Sequence, residues 1–294
     1  MVKNYKIILG TAQMGLNYGI NNFNGKITEE QSNNILYNAY KSGIDSLDTA
    51  ELYGNAHDTI GNFHKKNPGV KFKINTKFPH NFNDKNLENK IYDYLDILKV
   101  DSIETIMFHS FDSYFNNIDS IKSITELKHK GYVNHIGVSV YNNNEIEDLL
   151  KNKEVSVIQL PFNLFDNNYL RGEILKKIKA SDKIVHTRSA FLQGLFFKKL
   201  NHDDSVVKGL YDELKYLNEL SAASNKSIVE IALGYCIYQD NIDKVIIGVD
   251  SIEQLHNNLN IVNNSIDVDL FDKIDKILIK NLDLINPTKW KILR

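Results

Sequence analysis

Four side chains that can carry out acid–base chemistry lie in or just after short apolar runs of the sequence. The stretch SLDTAELYG (46–54) contains Asp48 and Tyr53, five positions apart. Lys77 ends the run KFKINTK, and His109 ends SIETIMFH. Taken singly, the aspartate suits a turn, the tyrosine suits packing, the lysine suits a solvated strand end, and a histidine is more often a satisfied buried group. Their joint arrangement favours a common role.

Together, these four residue types make a tunable proton donor beside a carbonyl group. A free tyrosine titrates near about pH 10, so it is a weak acid at neutral pH. The ammonium of Lys77 would favour the phenolate and lower the pKa of Tyr53, while the carboxylate of Asp48 would keep the lysine charged and oriented. The imidazole of His109 would orient the carbonyl that receives the proton.

The elements that must position these residues are short, often β-branched runs, which are typical of strands. Eight such runs span 6–10, 43–48, 71–77, 102–109, 132–140, 155–160, 183–188 and 244–249. Segments with helical spacing lie between them, at 28–43, 86–99, 116–130, 143–151, 168–179, 205–224, 227–239 and 251–262, and an extra helix is expected at 265–280. Strands that alternate with helices, without a Pro- or Gly-rich linker, predict one α/β domain over 1–294 with parallel strands.

Eight repeats at roughly 30-residue spacing favour a closed (β/α)8 TIM barrel with an extra C-terminal helix over an open sheet. The segment GTAQMGLNYG after the first strand does not fit the G-x-G-x-x-G pattern, which weighs against a Rossmann fold. In such barrels, functional residues gather at the carboxyl ends of the strands. We therefore expect the four residues above to meet there, together with Ser139 from the fifth strand and Gln159 from the sixth.

Composition limits the other possibilities. The 294 residues are 42% hydrophobic and 24% charged, and the net charge of −2 gives no basic field for nucleic acid or an anionic membrane. The single cysteine, Cys236, excludes an internal disulfide and lies in an apolar helical run, where core packing is expected. No CxxC or HExxH spacing indicates a metal site. No apolar stretch approaches about 18 residues, and the N-terminal run is too short for a signal peptide, so a cytoplasmic protein is expected.

The motifs resemble those of the aldo-keto reductase family, in family order over nearly the whole chain. They are LGTAQMG (9–15), DTAELYG (48–54), INTKF (74–78), MFHS (107–110), HIGVSVY (135–141), VIQLPFN (157–163), RSAFLQGL (188–195) and VIIGVDSIEQLHNNL (245–259). The resemblance implies a (β/α)8 barrel that reduces carbonyls with NADPH and without a metal. It also implies that Tyr53 is the general acid, that Lys77 and Asp48 tune it, and that His109 orients the substrate carbonyl.

The resemblance further implies how a nicotinamide cofactor is bound. Ser139 and Gln159 match residues that bond the nicotinamide carboxamide, the loop 189–194 matches the surroundings of the pyrophosphate, and Gln254 and Asn258 match the adenosine end. The complete expected set of cofactor-binding residues is Thr11, Asp48, Ser139, Gln159, Arg188, Ser189, Phe191, Gln193, Gly194, Gly248, Asp250, Ser251, Gln254 and Asn258.

Three departures from the family pattern concern the cofactor. Val140 stands where an asparagine usually follows the serine of the fifth strand. Arg188 stands where an aromatic residue is expected to stack on the nicotinamide, and its planar guanidinium could stack instead or reach an anionic substrate. Asp250 and Ser251 occupy the segment that usually carries a basic residue for the 2′-phosphate. The cofactor is therefore expected to be NADP(H) or NAD(H), with little preference for NADPH.

The leading hypothesis is an NAD(P)-dependent carbonyl reductase or alcohol dehydrogenase acting on an aldehyde, a ketone or a keto-sugar. One alternative is a cofactor-sensing regulatory subunit of the same fold that acts through a protein partner. Another is a metal-free barrel lyase or isomerase that uses Lys77 as a Schiff-base amine. The chemistry of the four residues favours the reductase.

For the small-molecule substrate, we expect a pocket formed by Asn17, Tyr18, Tyr141 and Phe162, with Asn21 at its mouth. The polar loop GLNYGINNFNGK (15–26) suits a sugar, although asparagine is common throughout the chain. The opening and the RSAFLQGL segment look similar to aldo-keto reductases found with surface-glycan pathways. A sugar or sugar nucleotide is therefore considered beside a simple aldehyde.

Overall fold

Eight parallel strands close into one barrel. A computed structural model describes residues 6–20, 22, 25–82, 86–201, 203–262 and 268–290. The strands pair in chain order, and the last returns to the first. They are β1 (Ile7–Gly10), β2 (Ser46–Asp48), β3 (Lys73–Lys77), β4 (Ile103–Phe108), β5 (Val133–Ser139), β6 (Val155–Pro161), β7 (Ile184–Arg188) and β8 (Lys244–Gly248). The predicted (β/α)8 fold is confirmed, and β2 is the strand most shortened relative to its prediction.

Helices surround the barrel and fill the connections between strands. They are α1 (Ala12–Gly15), α2 (Glu29–Lys41), α3 (Ala56–Lys66), α4 (Leu87–Leu98), α5 (Phe111–Asn116), α6 (Ser120–His129), α7 (Asn143–Leu149), α8 (Asn168–Ala180), α9 (Ser205–Gly209), α10 (Tyr211–Ser224), α11 (Ile228–Ile237), α12 (Ile252–Val262) and α13 (Val268–Asp275). Short 3-10 helices lie at Leu192–Phe197, Leu282–Ile285 and Pro287–Lys289. No helix in the described ranges is both long and apolar enough to cross a membrane.

The helix α2 shows how local sequence sets the boundaries of an element. The hydroxyl of Thr28 accepts a hydrogen bond from the backbone N–H of Gln31 at 3.2 Å, and the Gln31 side chain accepts one from the N–H of Thr28 at 2.8 Å. This capping box satisfies donors that the first turn would leave free. Gly43 follows the end of the helix with a φ of 87°, a conformation that favours glycine. Both ends agree with the prediction from sequence.

Several predicted helices need correction. No helix was predicted between β2 and β3, where α3 lies. Two of its buried positions are histidines, His57 and His64, which interrupt the apolar pattern. The predicted helix 116–130 corresponds to α6 and begins four residues later, while α5, which precedes it, was not predicted. The predicted helix 205–224 is divided into α9 and α10 at Leu210. The predicted helix 265–280 corresponds to α13, which ends at Asp275. Residues 265–267 lie outside the described residues.

The hydrophobic core lies mainly between the barrel and its helices. The helix α11 is apolar and almost wholly buried, so it packs against other elements over nearly its whole surface. Its Cys236 is fully buried, and burial raises the pKa of the thiol. The thiol contacts the carbonyl oxygen of Phe162 at 3.4 Å. Cys236 is therefore a packing residue, as its apolar context predicts.

The helices α3 and α4 approach so closely at Gly61 that no side chain fits between them. A Cβ at this position would lie 1.8 Å from the carbonyl oxygen of Ile97. We expect Gly61→Ala to force the two backbones apart and to lower the free energy of unfolding by about 1–3 kcal/mol or more. Urea denaturation, followed by circular dichroism, measures this change.

Gly69→Ala is the matched control, because a Cβ at Gly69 would meet no atom within 4 Å. Equal urea midpoints for the two variants would contradict the close contact between α3 and α4.

Candidate active site

A cavity of about 860 Å³ opens where the carboxyl ends of the strands meet. This volume lies in the range of small-molecule and cofactor sites, about 300–1,000 Å³. Asp48 and Lys77 are the last residues of β2 and β3, His109 directly follows β4, and Tyr53 lies in the loop between β2 and α3. All four side chains line the cavity. The strand-end placement therefore brings the four acid–base residues to one site.

A buried ion pair lies at the base of this site. The ammonium of Lys77 is 2.6 Å from one carboxylate oxygen of Asp48, and the two residues are only 1% and 4% exposed. Lys77 also donates to the carbonyl oxygen of Thr49 at 3.1 Å, and the amide nitrogen of Gln159 donates to the other oxygen of Asp48 at 2.8 Å. Burial lowers the pKa of Lys77, and the carboxylate of Asp48 opposes that shift. These contacts compensate for taking two charges out of water.

Tyr53 lies beside this ion pair and opposite a histidine. Its ring centroid is 5.4 Å from the ammonium nitrogen of Lys77. The ring meets that of His109 edge-on, with centroids 6.0 Å apart and an interplanar angle of 77°. Within the described part of the chain, the Tyr53 hydroxyl has no hydrogen-bond partner, so it can bond a molecule in the cavity.

The prediction that Lys77 makes Tyr53 more acidic is wrong for the structure described here. The pKa of Tyr53 is raised above its ordinary value, first by burial and then by the Asp48 carboxylate, while the charge of Arg188 lowers it by less. Because Lys77 is paired with Asp48, the pair offers Tyr53 little net positive charge. Tyr53 is therefore protonated at neutral pH, which is the state that a proton donor requires.

His109 is a neutral imidazole over the whole ordinary pH range. Burial, followed by the charges of Lys77 and His80, lowers its pKa to about 3. Its ring stacks on that of His80, with centroids 4.6 Å apart and an interplanar angle of 25°. A neutral imidazole still carries one N–H, so His109 can donate a hydrogen bond to a carbonyl oxygen. His80 was not among the residues predicted from the sequence, although it comes only three residues after Lys77 at the same end of the barrel.

Two glycines hold the loop that carries Tyr53. A Cβ at Gly15 would lie 1.7 Å from the carbonyl oxygen of Tyr53, and a Cβ at Gly54 would lie 2.4 Å from the carbonyl oxygen of Gly15. Gly54 also has a φ of 56°. The backbone N–H of Tyr53 donates to the carbonyl oxygen of Ala50 at 3.0 Å. The stretch DTAELYG therefore combines turn geometry with the placement of a catalytic candidate.

Most of the residues expected to contact substrate or cofactor line the same cavity. Besides the four acid–base residues they are Thr11, Tyr18, Ser139, Tyr141, Gln159, Arg188, Ser189, Phe191, Gln193, Gly194, Gly248, Asp250, Gln254 and Asn258. Asn21, expected at the mouth, lies outside the described residues. The roles of these residues remain predictions.

Three expected residues lie elsewhere. Phe162 is fully buried and stacks on Tyr235 with centroids 5.3 Å apart, because strand residues alternate between faces and Gln159 points to the opposite one. Asn17 is exposed outside the cavity. The hydroxyl of Ser251 accepts a hydrogen bond from the backbone at the start of α12 at 3.3 Å, so it supports the helix instead of lining the cavity.

The cavity contains polar atoms that suit a nicotinamide dinucleotide. Two buried side-chain oxygens, Oε1 of Gln159 and Oδ1 of Asp250, lack a hydrogen-bond partner among the described residues. Such atoms normally find a partner in protein, water or ligand. The lining also includes Gln193 and Gly194, which have φ of 53° and 94°, and left-handed backbone of this kind clusters at ligand sites. The residues present therefore fit a ligand that offers amide and hydroxyl donors.

The lining of the cavity also includes residues that were not predicted from the sequence. They are Ser227, Glu230, Asn257, Asn260, Pro287 and Thr288. These residues lie in or next to α11 and α12 and in the 3-10 helix Pro287–Lys289, and no strand-end rule points to them. Among the described residues that line the cavity, the lysines and arginines are Lys77 and Arg188 alone. The described residues also contain no group of three or more His, Cys, Asp or Glu that could hold a metal ion.

The fold and the site define a protein of α/β barrel class with a tyrosine, a lysine, an aspartate and a histidine at one end of its strands. The family model of the aldo/keto reductase family matches residues 6–279, and the chain belongs to this family. The resemblance found in the sequence motifs is therefore confirmed, and members of this family use nicotinamide cofactors.

Individual relatives are distant but cover most of the chain. YqkF of Bacillus subtilis, an uncharacterized oxidoreductase, is 26% identical over 251 residues, which cover 78% of this chain and 81% of that protein. The NADH-specific methylglyoxal reductase of Escherichia coli is 23% identical over 280 residues, covering 82% and 85%. The holo form of aldo-keto reductase AKR11C1 from Bacillus halodurans has a TM-score of 0.77 at 24% identity, covering 93% of this chain and 92% of that one. That likeness shows a shared fold.

The pKa values of the site predict a flat pH profile for carbonyl reduction. His109 is neutral above about pH 3, and the raised pKa of Tyr53 keeps it protonated through the neutral range. We therefore expect kcat/KM to change little between about pH 5 and 9, since neither group titrates there. Initial rates at saturating cofactor measure this profile. A limb near pH 6–7 that disappears in His109→Asn would show that His109 titrates as an ordinary histidine.

Proposed function

We propose that this protein reduces an aldehyde or ketone with a nicotinamide cofactor, and that Tyr53 donates the proton. The observation that carries the proposal is the buried Asp48–Lys77 ion pair beside Tyr53 and His109 in a cavity large enough for cofactor and substrate. A bound nicotinamide would supply the hydride. The residues of the chain would orient the carbonyl, exclude water and supply the proton.

The proposed roles follow from protonation and contacts. Tyr53 is protonated and its hydroxyl has no partner in the described structure, so it would donate to the carbonyl oxygen. The neutral imidazole of His109 would donate a second hydrogen bond to that oxygen and so fix its direction. Once Tyr53 has released its proton, the positive charge of Arg188, which acts to lower the pKa of Tyr53, would favour the phenolate. General acid catalysis of this kind contributes about 10²–10⁴ in rate.

Asp48 has a proposed role that reaches beyond Lys77. Because Asp48 accepts a hydrogen bond from the amide nitrogen of Gln159 at 2.8 Å, it fixes the orientation of that amide. The oxygen of Gln159 is then the atom without a partner among the described residues. It would accept a hydrogen bond from the carboxamide of the nicotinamide, with Ser139 beside it. Lys77, Asp48 and Gln159 would thus tie the proton donor to the cofactor.

Two other functions fit the observations less well. A lyase that forms a Schiff base needs an accessible free amine, but Lys77 is 1% exposed and paired with Asp48 at 2.6 Å. A regulatory subunit would bind the nucleotide but would not need to convert a substrate. The relatives named above are oxidoreductases by name, which supports an enzyme. Turnover of any carbonyl by the purified protein would separate the enzyme from a subunit that only binds cofactor.

The substrate is proposed to be a short aldehyde or ketone. The Escherichia coli relative is named for methylglyoxal, a short dicarbonyl, and this supports a short substrate over a sugar nucleotide. The expected sugar substrate rests on motif likeness and on the polar loop 15–26. A carbonyl panel that includes keto-sugars would distinguish the two.

Tyr53→Phe tests the proposed general acid. The variant loses only the hydroxyl, so we expect kcat to fall about 10²–10⁴-fold while NADH still binds. Single-turnover rates with a carbonyl compound that the wild-type protein reduces measure the first effect. Quenching of NADH fluorescence measures the second. Tyr37→Phe is the matched control, because Tyr37 is an exposed tyrosine on α2. Near-native turnover in Tyr53→Phe, with chemistry rate-limiting, would exclude Tyr53 as the acid.

We further propose that the protein accepts NADH and has weak preference for NADPH or none. Asp250 lines the cavity, burial raises the pKa of its carboxyl, and its Oδ1 lacks a partner among the described residues. Such an oxygen suits a ribose hydroxyl and repels a phosphate. Lys198, a basic residue in the loop after β7, is paired with Asp204 at 2.9 Å. The name of the Escherichia coli relative, which specifies NADH, supports the same preference.

The double variant Asp250→Ser/Ser251→Arg should shift binding toward NADPH. It removes a carboxylate and adds a guanidinium, and a hydrogen bond to a charged group contributes about 1.5–3 kcal/mol, or roughly ten- to a hundredfold in affinity. Dissociation constants for NADH and NADPH, from fluorescence titration, measure the shift, and Asp250→Ser alone is the control for lost repulsion. Wild-type protein that binds NADPH more than about a hundredfold tighter than NADH would refute the proposed preference.

A further inference from the structure

The loop that carries Tyr53 is anchored to a neighbouring helix by one of its own side chains. Glu51 lies two residues before Tyr53, and its backbone N–H donates to the carbonyl oxygen of Lys77 at 3.2 Å. The carboxylate of Glu51 meets α4. The ammonium of Lys90 lies 3.1 and 2.8 Å from its two oxygens, and the hydroxyl of Tyr94 donates to one of them. The helix α4 therefore contacts the loop next to the proposed proton donor.

The neighbouring side chains of the loop are weaker anchors than Glu51. Leu52 is 44% exposed, and the side chain of Asn55 accepts a hydrogen bond from Lys26 at the exposed surface, at 3.0 Å. Exposed polar contacts of this kind contribute little. The hydroxyl of Tyr53 has no partner among the described residues. Its position therefore depends on the backbone of the loop and on the contact of Glu51 with α4.

Tyr94 connects this anchor to the end of β3. It is 3% exposed, and its ring meets that of His57 edge-on, with centroids 5.3 Å apart and an interplanar angle of 76°. The Nε2 atom of His57 is hydrogen-bonded to the hydroxyl of Thr76 at 2.8 Å, and Thr76 directly precedes Lys77. Tyr94 therefore lies between the loop of the proton donor, which it reaches through Glu51, and the strand that carries Lys77.

Glu51 accepts both of its hydrogen bonds as a charged group. Burial raises the pKa of its carboxyl, but the hydrogen bonds from Lys90 and Tyr94 together outweigh burial and bring the pKa below its ordinary value. An ionised carboxylate accepts several donors at once through its two oxygens. Charge-assisted hydrogen bonds are also shorter and stronger than neutral ones. The charge of Glu51 therefore strengthens the contact between the loop and α4.

We propose that Glu51 is a positioning residue, which Lys90 and Tyr94 of α4 hold so that Tyr53 directs its hydroxyl at the carbonyl to be reduced. The residues that line the cavity do not include these three, so they act through Tyr53 and not by contact with substrate or cofactor. The proposal rests on the proposed role of Tyr53 as the proton donor and assigns the residues that place it. A misplacement of about 1 Å can cost about a hundredfold in rate.

Tyr94→Phe tests the anchor by the loss of one hydroxyl. We expect kcat to fall about tenfold or more, while KM and the dissociation constant of NADH change less than about twofold, because the lining of the cavity is unchanged. Steady-state rates and fluorescence titration measure these values. Glu51→Gln, which loses the charge, should lower kcat in the same way. Tyr92→Phe is the matched control and should keep the wild-type rate, since Tyr92 lies on the same helix and donates to Glu88 at the surface at 2.7 Å.

A double-mutant cycle separates positioning from a general structural effect. If α4 acts through Tyr53, Tyr94→Phe should lower the kcat of the wild-type protein but should not lower the residual rate of Tyr53→Phe any further. An equal loss in both backgrounds would overturn the proposal. A wild-type kcat in Tyr94→Phe or in Glu51→Gln, or a loss of NADH binding that accounts for the lower rate, would overturn it as well. If Tyr94→Phe does not fold, Lys90→Gln removes the ion pair alone and enters the same cycle.

Hydrogen exchange keeps the proposal distinct from the proposed reaction, because it requires no turnover. Backbone N–H groups in and after the loop are hydrogen-bonded at Thr49, Glu51, Tyr53 and Ala56. Mass spectrometry of a peptide that spans 49–56 therefore reports how firmly the loop is held. We expect faster exchange there in Tyr94→Phe than in the wild-type protein or in Tyr92→Phe.

Faster exchange would support the anchor even in a protein that reduces no carbonyl, and only the proposed reaction would then fall. Exchange at the wild-type rate in Tyr94→Phe would overturn the anchor.

Discussion

The buried ion pair between Asp48 and Lys77 is the interaction on which the site depends. The ion pair forms only if β2 and β3 pair in one register. In that register Asp48 lies opposite Asn75 of β3, and Lys77 follows two residues later at the end of β3. Gln159, from the far side of the barrel, must reach the second oxygen of Asp48. A slip of one residue would turn these side chains to the other face of the sheet. Barrel closure and assembly of the acid–base residues are therefore one structural requirement.

The strands and the acid–base residues could be predicted because they depend on local patterns. Short β-branched runs indicate strands, and the strand-end rule indicates which polar residues meet. The helix α3 could not be predicted in the same way. His57 and His64 occupy buried positions there and bond Thr76 and the carbonyl oxygen of Leu98, each at 2.8 Å. A histidine whose partner lies on another element looks polar in the sequence but behaves as core in the structure.

The electrostatics and the outer parts of the site were beyond sequence analysis for a different reason. The pKa of Tyr53 depends first on its burial, which is a property of the folded chain and opposes the shift expected from a nearby lysine. His80 lines the cavity from a loop, and Glu230 lines it from α11, whose helical periodicity predicted the helix but not its approach to the cavity. Phe162 shows the reverse case, because a position next to a motif residue can face away from the site. The sequence identifies residues that could take part in catalysis, and the three-dimensional packing decides which of them lie in the same site.

The burial of Cys236 makes the chain convenient for spectroscopy. It is the single cysteine of the sequence, it is fully buried, and burial raises the pKa of its thiol, so little reactive thiolate is present. A cysteine introduced at an exposed position would be the one thiol open to maleimide reagents. Asn17, exposed in the loop next to Tyr18, is such a position. A fluorophore attached there would report ligand-dependent changes at the rim without removal of the native cysteine.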